Sequence, residues 1–345
     1  MPLRAAKVMS HREVCVVRAD ASSQIGKGHV VRCGALARAL DARGLSCILA
    51  GQEETGTNFD DEVFANFFSL DGGPDEELRQ LQRSYPGGVA VLVIDHYGRA
   101  SDYERRLADW AELIVAVDGT GREHEADIVV APGPGLAPPI SSQSKSALLA
   151  GGDYALIRPE FAAVRSRRLE QPKHADRLLV SFGGSDVSDQ VAETVKGLQQ
   201  VSKRIGVDVL LGPKATAPQV TDAGAQVKFH SWSDAPFDLF ERASCYLGAG
   251  GGTALEAAAI GLPAILVSIA GNQRNLTAAL AAEGAAIVID EKNLARDVAV
   301  EVPKLMNDPE RLSRMSCKAR STVGVDGAPL VAQRILTELA RKRAQ

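Results

Sequence analysis

The chain has 345 residues, of which 45% are hydrophobic and 24% are charged. These proportions are ordinary for a folded globular protein, and the length is sufficient for two domains. The formal net charge is −4, from 39 basic and 43 acidic side chains. This balance argues against a protein that binds duplex nucleic acid through its overall charge.

The sequence predicts neither a membrane segment nor cross-links between its cysteines. No apolar run approaches the roughly 20 residues of a membrane helix. The N-terminal run Val14–Val17 is too short for the core of a signal peptide. The 5 cysteines are scattered and form no Cys-x-x-Cys pair. We therefore expect free thiols, a cytoplasmic location and no stable association with a membrane.

Short apolar runs alternate with longer amphipathic stretches along the chain. The predicted strands are, in order, Val14–Arg18, Ser46–Ala50, Val89–Asp95, Leu113–Val117, Leu178–Phe182, Val207–Leu211, Cys245–Leu247, Ala264–Val267 and Ala286–Ile289. The predicted helices are His29–Arg43, Pro74–Arg83, Ser101–Trp110, Val187–Arg204, Thr253–Ile260, Asn275–Glu283 and Val325–Arg343. This alternation predicts an α/β fold, and the number of strands favours two parallel sheets.

Changes in composition divide the chain into two predicted domains. The polar, charged stretch Arg165–Arg177 precedes a buried strand and is interpreted as the interdomain linker. The predicted domains are 1–168 and 169–345, with the last helix able to pack back on the first domain. The Pro-rich stretch 132–146 is predicted to be a surface loop, and the aromatic stretch 63–70 to be core.

Glycines and a histidine follow the first predicted strand. The segment Arg18–His29 contains Gly26 and Gly28 and leads into a helix that begins near His29. Glycines let a ligand approach the backbone, and a helix N-terminus offers N–H groups to an anion. Val31 stands where a dinucleotide-binding fingerprint has its third glycine, which disfavours a dehydrogenase. His29 is a candidate general base at the carboxyl end of a strand, and a cap of the helix is the alternative interpretation.

A second glycine-rich loop follows the strand at Cys245–Leu247. Gly250, Gly251 and Gly252 contribute no side-chain burial, so we interpret them as a phosphate-binding loop and not as core packing. Glu256 lies one turn into the next helix, where its carboxylate could reach ribose hydroxyl groups. A plain turn followed by an exposed glutamate is the alternative.

Three further polar segments follow predicted strands. The amides of Ala270–Asn275 either cap a helix or bind sugar and pyrophosphate groups. Asp95–Gly98 ends a buried strand and is expected to face the same cleft as His29. Phe182–Asp186 opens a helix with two glycines that free the backbone as in the first loop, and the alternative is that Ser185 or Asp186 is an N-cap and nothing more. No cluster of His, Asp or Glu has metal-ligand spacing, so we expect no metal.

Together these segments resemble a known family. Arg18-Ala-Asp…Ile25-Gly-Lys-Gly-His29…Arg32-Cys33 resembles the signature of the UDP-sugar hydrolases of pseudaminic acid biosynthesis. Asp95–Tyr97, Tyr154–Phe161, Ser181–Asp186 and Gly271–Gln273 are similar to later motifs of that family, in the same order. The glycine-rich loop with Glu256 is also similar to the lipid II glycosyltransferase and indicates the glycosyltransferase B architecture more than one reaction.

The resemblance implies two Rossmann-like domains that face each other across a cleft. Domain 1–168 would hold the sugar and the catalytic loop, and domain 169–345 would bind UDP. The implied reaction is the hydrolysis of UDP-2,4-diacetamido-2,4,6-trideoxy-β-L-altropyranose to UDP and 2,4-diacetamido-2,4,6-trideoxy-L-altrose. It would invert the anomeric carbon, use no metal or cofactor, and serve the glycosylation of flagellin or a surface polysaccharide.

The resemblance also implies the site residues. His29 would be the base that activates water, with Tyr97 and Asn272 orienting the sugar or the nucleophile. The implied substrate-binding residues are Asp20, Gly26, Gly28, Arg32, His96, Gly183, Gly184, Gly251, Gly252, Thr253, Glu256 and Gln273. The chain departs from the family at Asp118–Gly121 and at Ala131–Pro139, both on the sugar side, which leaves the identity of the sugar open.

Other functions remain open. In the main alternative, a UDP-sugar-dependent glycosyltransferase, an acceptor hydroxyl group replaces water. A membrane-bound acceptor would call for an exposed apolar patch on the first domain, for which Phe64–Leu70 is the only candidate. Retention of the three catalytic candidates disfavours an inert sensor, and an epimerase should show further acidic residues and a second histidine. The expected partner is a UDP-sugar and not a nucleic acid; the oligomeric state stays open, and a monomer is compatible.

Overall fold

The computed structural model describes residues 13–22, 25–57, 60, 62–135, 146–170, 176–184, 187–201, 205–212, 215–219, 226–233 and 235–345. These residues form two sheets, one of seven strands and one of six, in which every strand pair is parallel. The prediction of two parallel-sheet α/β domains is confirmed.

The first sheet is built from the N-terminal part of the chain. Its strands are β1 (Val14–Ala19), β2 (Ser46–Gly51), β3 (Asn66–Ser69), β4 (Val89–Asp95), β5 (Ala111–Val117), β6 (Ile128–Ala131) and β7 (Ala147–Ala150). Their order in the sheet is β3-β2-β1-β4-β5-β6-β7. The direction of chain progression therefore reverses between β1 and β4, and a parallel sheet opens a crevice at such a point.

The second sheet repeats this arrangement. Its strands are β8 (Arg177–Ser181), β9 (Gly206–Leu210), β10 (Gln226–His230), β11 (Cys245–Ala249), β12 (Ala264–Val267) and β13 (Ala286–Ile289). They lie in the order β10-β9-β8-β11-β12-β13, which places the second reversal between β8 and β11.

Helices connect most of the strands and cover both faces of each sheet. They are α1 (Gly28–Asp41), α2 (Glu53–Gly56), α3 (Pro74–Ser84), α4 (Ser101–Arg105), α5 (Glu160–Glu170), α6 (Ser188–Leu198), α7 (Phe237–Arg242), α8 (Gly252–Ala259), α9 (Arg274–Ala282), α10 (Leu294–Met306), α11 (Pro309–Thr322) and α12 (Gly327–Arg343). The central strands are buried on both faces. In β1, Cys15 and Val17 pack in one core cluster and Val14 and Val16 in another.

Two segments connect the domains, and they lie side by side. The first follows β7 and leads into α5; the second leads from α11 into α12. The Gly324 N–H donates a hydrogen bond to the Gly152 carbonyl oxygen, 3.1 Å away. The last helix then packs on the first sheet, where Val331 and Ile335 are fully buried in the same core cluster as Val17.

The first crossing comes earlier in the chain than the predicted boundary at 168. Helix α5 packs against the second sheet, because Phe161 and Val164 are buried in the same cluster as Phe240. The predicted linker 165–177 is therefore helical as far as Glu170, and residues 171–175 lie outside the described part.

Several other elements differ from their prediction. Strands β3, β6, β7 and β10 and helices α2, α5, α7, α10 and α11 were not predicted. Helix α4 ends at Arg105 and not at Trp110, and α6 ends at Leu198. Three of these strands have only four residues, which is too short for a period to stand out. Most of the predicted surface loop 132–146 lies outside the described residues.

Candidate active site

In each sheet the strand order reverses once, and the loops near these two points face each other and enclose one cavity. Loops that follow β1, β4 and β5 supply one side, and loops that follow β8, β11 and β12 supply the other. The cavity encloses about 250 Å³. All the site residues predicted from the sequence line it except Asp20 and His96.

His29 pairs with a buried aspartate. Its Nδ1 lies 2.6 Å from Oδ1 of Asp95, and both side chains are nearly inaccessible to solvent. The strand register explains the pairing, because Asp95 ends β4 beside Ala19 of β1, and α1 begins after the next loop. An ionised carboxylate can only accept a hydrogen bond, so a neutral imidazole at this position carries its proton on Nδ1 and has its lone pair on Nε2. This arrangement suits a general base.

Two neighbours on α1 hold the Asp95 carboxylate. Arg32 donates to both of its oxygens, at 2.5 Å each, and the Cys33 thiol lies 3.4 Å from Oδ2. Burial alone would raise the pKa of Asp95, but the charge of Arg32 and the contact with His29 outweigh it and hold that pKa well below its usual range. Asp95 is therefore charged at neutral pH. Arg32, a predicted substrate-binding residue, lines the cavity, and its guanidinium is paired with the Asp95 carboxylate.

Tyr97 and Asn272 meet across the cleft. The Tyr97 ring stands edge-on to the imidazole of His29, with 4.8 Å between ring centroids. Nδ2 of Asn272, in the short 3₁₀ turn Gly271–Gln273 of the second domain, donates to the Tyr97 hydroxyl oxygen at 2.6 Å. The three predicted catalytic residues are thus brought together, although they lie far apart in the sequence.

The three glycines of the second glycine-rich loop are not all required for the same purpose. A Cβ on Gly250 would lie 2.1 Å from Cγ2 of Thr277, so packing requires this glycine. The interpretation that packing does not explain the glycine run is wrong at this position. A Cβ on Gly251 or Gly252 would meet nothing within 4 Å. These two backbone positions face open space at the start of α8, beside Thr253, and can accept a phosphate group.

Glu256 lies in the cavity wall with a charged partner. Its Oε1 accepts from Nε of Arg158 at 2.7 Å and its Oε2 accepts from Nη2 at 3.1 Å. The Arg158 guanidinium also lies over the rings of Phe161 and Phe237, at 5.1 and 5.2 Å. A carboxylate has about four acceptor sites, so Glu256 can accept further hydrogen bonds from ribose hydroxyls. Gln273 lines the same cavity, but its side-chain oxygen already accepts from the Ile269 N–H.

Asp20 and His96 do not line the cavity, and the expectation that they bind substrate stays a prediction. The Asp20 carboxylate accepts from Arg18 at 2.7 Å and from the Gln52 N–H at 2.9 Å. His96 Nε2 lies 3.0 Å from Asp20, and its Nδ1 accepts from the Gly98 N–H. Both nitrogens of His96 are thereby occupied inside the first domain, and the pair supports the loop that carries Tyr97.

Sequence reasoning missed several residues of the cavity wall. Lys27 precedes α1 and places Nζ 5.7 Å from the ring centroid of Trp232 on the other domain. Gly119 and Thr120 line the cavity from the first domain. Asp95 and Arg158 stood inside quoted motifs without a role. The position of Asp95 at a strand end was the available signal, whereas Arg158 lies in the segment before α5, and strand order was the missing information.

No assembly of three or more His, Cys, Asp or Glu side chains suited to a metal ion occurs in the described ranges. In the same ranges, no helix has the length and apolar character needed to cross a membrane.

The second domain matches a known family model. Residues 178–334 match the Glycosyltransferase family 28 C-terminal domain. Over a larger share of the chain, the spore coat polysaccharide biosynthesis protein SpsG of Bacillus subtilis is 24% identical, with 86% of this chain and 90% of SpsG covered.

Other curated relatives are longer proteins. The UDP-N-acetylglucosamine–N-acetylmuramyl-(pentapeptide) pyrophosphoryl-undecaprenol N-acetylglucosamine transferase of Mycobacterium avium is 34% identical, over 53% of this chain and 47% of that protein. The uncharacterized protein MJ1062 of Methanocaldococcus jannaschii is 22% identical, over 72% of this chain and 54% of that protein. The chain thus spans about half the length of these two relatives.

Solved structures match both domains together. Acinetobacter baumannii MurG superposes with a TM-score of 0.71 at 17% identity, covering 94% of this chain and 99% of MurG. The calicheamicin glycosyltransferase CalG4 superposes with a TM-score of 0.63 at 17% identity, covering 95% of this chain and 100% of CalG4. The chain has the glycosyltransferase B fold. The cavity is lined by loops of both domains.

Proposed function

We propose that this protein is a UDP-sugar-dependent enzyme that breaks the bond between the sugar and the diphosphate and passes the sugar to a hydroxyl nucleophile. The observation that carries the proposal is the His29–Asp95 pair, which shares one cavity with the open glycine backbone at the start of α8. A base and an anion-binding loop are what this substitution needs.

In the proposed mechanism, Nε2 of His29 takes the proton of the nucleophile while the nucleophile's oxygen attacks the anomeric carbon. The bond from that carbon to the diphosphate oxygen breaks, its electron pair leaves with UDP, and the anomeric carbon is inverted. Asp95 stabilises the imidazolium that forms, as a buried carboxylate does in other His–Asp pairs. The N–H groups of Gly252 and Thr253 would stabilise the charge on the departing diphosphate.

An acceptor alcohol is the first candidate nucleophile. The family model over residues 178–334 and the transferase from Mycobacterium avium both support a sugar transfer reaction. On this proposal the protein is a UDP-sugar-dependent glycosyltransferase, and the acceptor enters on the first-domain side, near Tyr97 and Thr120.

Water is the second candidate, and two observations favour it. Two residues of the apolar stretch that a membrane-bound acceptor would use, Phe64 and Leu70, are each 1% exposed, and its phenylalanines Phe67 and Phe68 are half-buried. In addition, the hydrogen bond between Tyr97 and Asn272 bridges the cleft beside His29, so the nucleophile's space is narrow. On this alternative, the chain hydrolyses UDP-2,4-diacetamido-2,4,6-trideoxy-β-L-altropyranose, as its N-terminal motifs suggest.

One experiment separates these candidates. The purified chain is incubated with a panel of UDP-sugars that includes this compound and UDP-N-acetylglucosamine, with and without sugar and lipid-linked acceptors, and proton NMR follows the products. UDP and free sugar in equal amounts without an acceptor indicate hydrolysis; UDP release only with an acceptor indicates transfer. His29→Ala should abolish either reaction and retain UDP binding.

His230→Ala is the matched control, because His230 on β10 pairs with Asp208 on β9 and does not line the cavity. Equal activity of His29→Ala and wild type would contradict the proposed base. Absence of both UDP binding and turnover across the panel would contradict the function itself.

A further inference from the structure

We infer that Arg122 is a positioning residue that holds Tyr97 against His29 and Asn272. The inference rests on the proposed function, which gives Tyr97 its place beside the reacting sugar. Arg122 lies in the stretch just after Asp118–Gly121, where the sequence departs from the family it resembles, and none of the motifs used above includes it.

Arg122 contacts Tyr97 in two ways. Its Nη1 donates to the Tyr97 carbonyl oxygen at 2.6 Å and to the His96 carbonyl oxygen at 3.0 Å. Its guanidinium carbon lies 5.9 Å from the centroid of the Tyr97 ring. The same side chain therefore fixes the backbone of the loop after β4 and faces the ring that this loop carries into the cleft.

Tyr97 needs such a support because packing does not hold it. Its exposed fraction is 42%, which is unusual for a large aromatic side chain. The ring is positioned by the edge contact with His29, by Asn272 on the other domain and by Arg122. The contact with Asn272 exists only while the domains are close, whereas Arg122 belongs to the same domain as Tyr97.

Arg122 is itself anchored to the sheet through Asp118, which directly follows β5. The Asp118 carboxylate accepts from the Arg122 N–H at 2.7 Å and from the Thr120 N–H and hydroxyl at 2.8 and 2.6 Å. Arg122 Nε also donates to the Thr120 hydroxyl oxygen at 3.2 Å. The loop that lines the sugar side at Thr120 is thereby tied to the loop that carries Tyr97.

The buried side chain of His124 supports the loop that begins at Asp118. His124 Nδ1 lies 2.6 Å from Oε1 of Glu104, and its Nε2 lies 3.3 Å from Oδ2 of Asp118, a distance that serves an ion pair more than an aligned hydrogen bond. The segment from Asp118 to His124 is therefore fixed at both ends. Arg122 projects from a rigid support, as a positioning residue must.

Kinetics of four variants tests this inference: Arg122→Met, Arg122→Lys, Tyr97→Phe and the double variant Arg122→Met/Tyr97→Phe. Arg122→Met should lower kcat by roughly 10-fold to 100-fold, as displacement of a substrate-orienting group by about 1 Å does, and leave KM for the UDP-sugar nearly unchanged. Arg122→Lys should recover part of the loss, since lysine keeps the charge but not the fork of donors.

The double variant supplies the decisive comparison. If Arg122 acts through Tyr97, the losses of kcat in the two single variants are not additive. The double variant then has about the same kcat as the less active of the two single variants. Additive losses would overturn the inference. Arg79→Met is the matched control, because Arg79 makes an exposed ion pair with Glu76 on α3, and it should leave kcat unchanged.

A readout without turnover separates this inference from the proposed function. The rate of hydrogen–deuterium exchange in the peptide that covers residues 96–101 should rise in Arg122→Met and stay unchanged in Arg79→Met. If the methionine variant does not fold, the same rise is expected in Arg122→Lys. If the wild type turns over no UDP-sugar, the proposed function fails and the exchange result still decides whether Arg122 holds this loop. Unchanged exchange overturns the inference.

Discussion

The carboxylate of Asp95 contacts the side chains of His29, Arg32 and Cys33. The tautomer of the proposed base His29 depends on this carboxylate. With Asp95→Asn the partner of His29 Nδ1 loses its charge, so neither the protonated Nδ1 nor the imidazolium is stabilised. We expect kcat to fall by a factor on the order of 10⁴, the scale of the equivalent change in a Ser-His-Asp triad. The dissociation constant for UDP should stay within about threefold, because the phosphate loop belongs to the other domain.

Steady-state kinetics and calorimetric titration with UDP measure both quantities. Asp102→Asn is the control, since Asp102 is an exposed residue on α4 whose side chain contacts only Arg105 at 3.4 Å among the hydrogen bonds of the described residues. A kcat for Asp95→Asn within threefold of wild type would show that His29 does not rely on Asp95.

His124 links stability to pH. Burial alone lowers its pKa, but Asp118 and Glu104 outweigh this and raise it from 6.5 to about 9. The folded protein therefore holds this proton more tightly than the unfolded chain does. Its stabilising contribution is complete below about pH 6.5 and declines as the pH rises toward 9.

Urea unfolding at pH 6.5 and pH 8.5 measures this contribution. The free energy of unfolding should fall more steeply with pH in the wild type than in His124→Gln. The buried thiols, among them Cys245, also favour the folded state less as the pH rises, because unfolded thiols ionise near pH 8.5. They contribute equally to both proteins, so the difference in slope isolates His124. Equal slopes would contradict the assignment.

At the scale of elements, the start of α8 separates a structural glycine from a binding one. Gly250→Ala should destabilise the protein by about 1–3 kcal/mol, the usual cost of an overpacked site, because its Cβ meets Thr277. Gly251→Ala meets no atom within 4 Å and should keep the stability of the wild type. Its methyl group would occupy the space of a phosphate, so the dissociation constant for UDP should rise roughly tenfold, equal to 1.4 kcal/mol.

Chemical denaturation and UDP titration of the two glycine variants make this comparison, and each variant controls for the other. The opposite pattern, with weak UDP binding only in Gly250→Ala, would mean that the anion lies elsewhere.

The sequence predicts a strand or helix well where the element is long and its apolar residues form a clear run or period. Strands such as Val89–Asp95 are continuous apolar runs, and their burial on both faces follows directly. Short edge strands such as Asn66–Ser69 could not be predicted, because four residues do not establish a period. The second half of helix Glu160–Glu170 was interpreted as part of the linker Arg165–Arg177, since its exposed face is charged and its few apolar residues pack against another element.

The site was predictable as a set of strand ends and not as a set of contacts. His29, Tyr97 and Asn272 could be named because each follows a strand. Their pairing, and the support of His29 by Asp95, depend on strand order and on how the domains face each other. Asp20 and His96 also follow strand ends, but they pair with each other inside the first domain and do not line the cavity, which the sequence could not show.

At the scale of the whole molecule, the last helix completes the first domain. Ile335 is 0% exposed in the core cluster of the first sheet, whereas Leu330 on the same helix is 48% exposed. Ile335→Ala should lower the free energy of unfolding by about 2–5 kcal/mol. Leu330→Ala should change it by less than about 0.5 kcal/mol.

Urea denaturation of the full-length variants, followed by circular dichroism, tests this expectation. If Ile335→Ala were as stable as Leu330→Ala, the C-terminal helix would contribute nothing to the first domain.

The two connections between the domains run beside each other, joined where Gly324 donates to Gly152. A body attached at one flexible point can swivel in any direction, but one attached through a paired crossing has a hinge. We therefore expect the domains to open by rotation about one axis through this pair. Such a rotation would separate Tyr97 from Asn272 while each half of the site keeps its own geometry. The affinity of the open form for UDP should then resemble that of the second domain by itself, and the base would reach the sugar only after the rotation is complete.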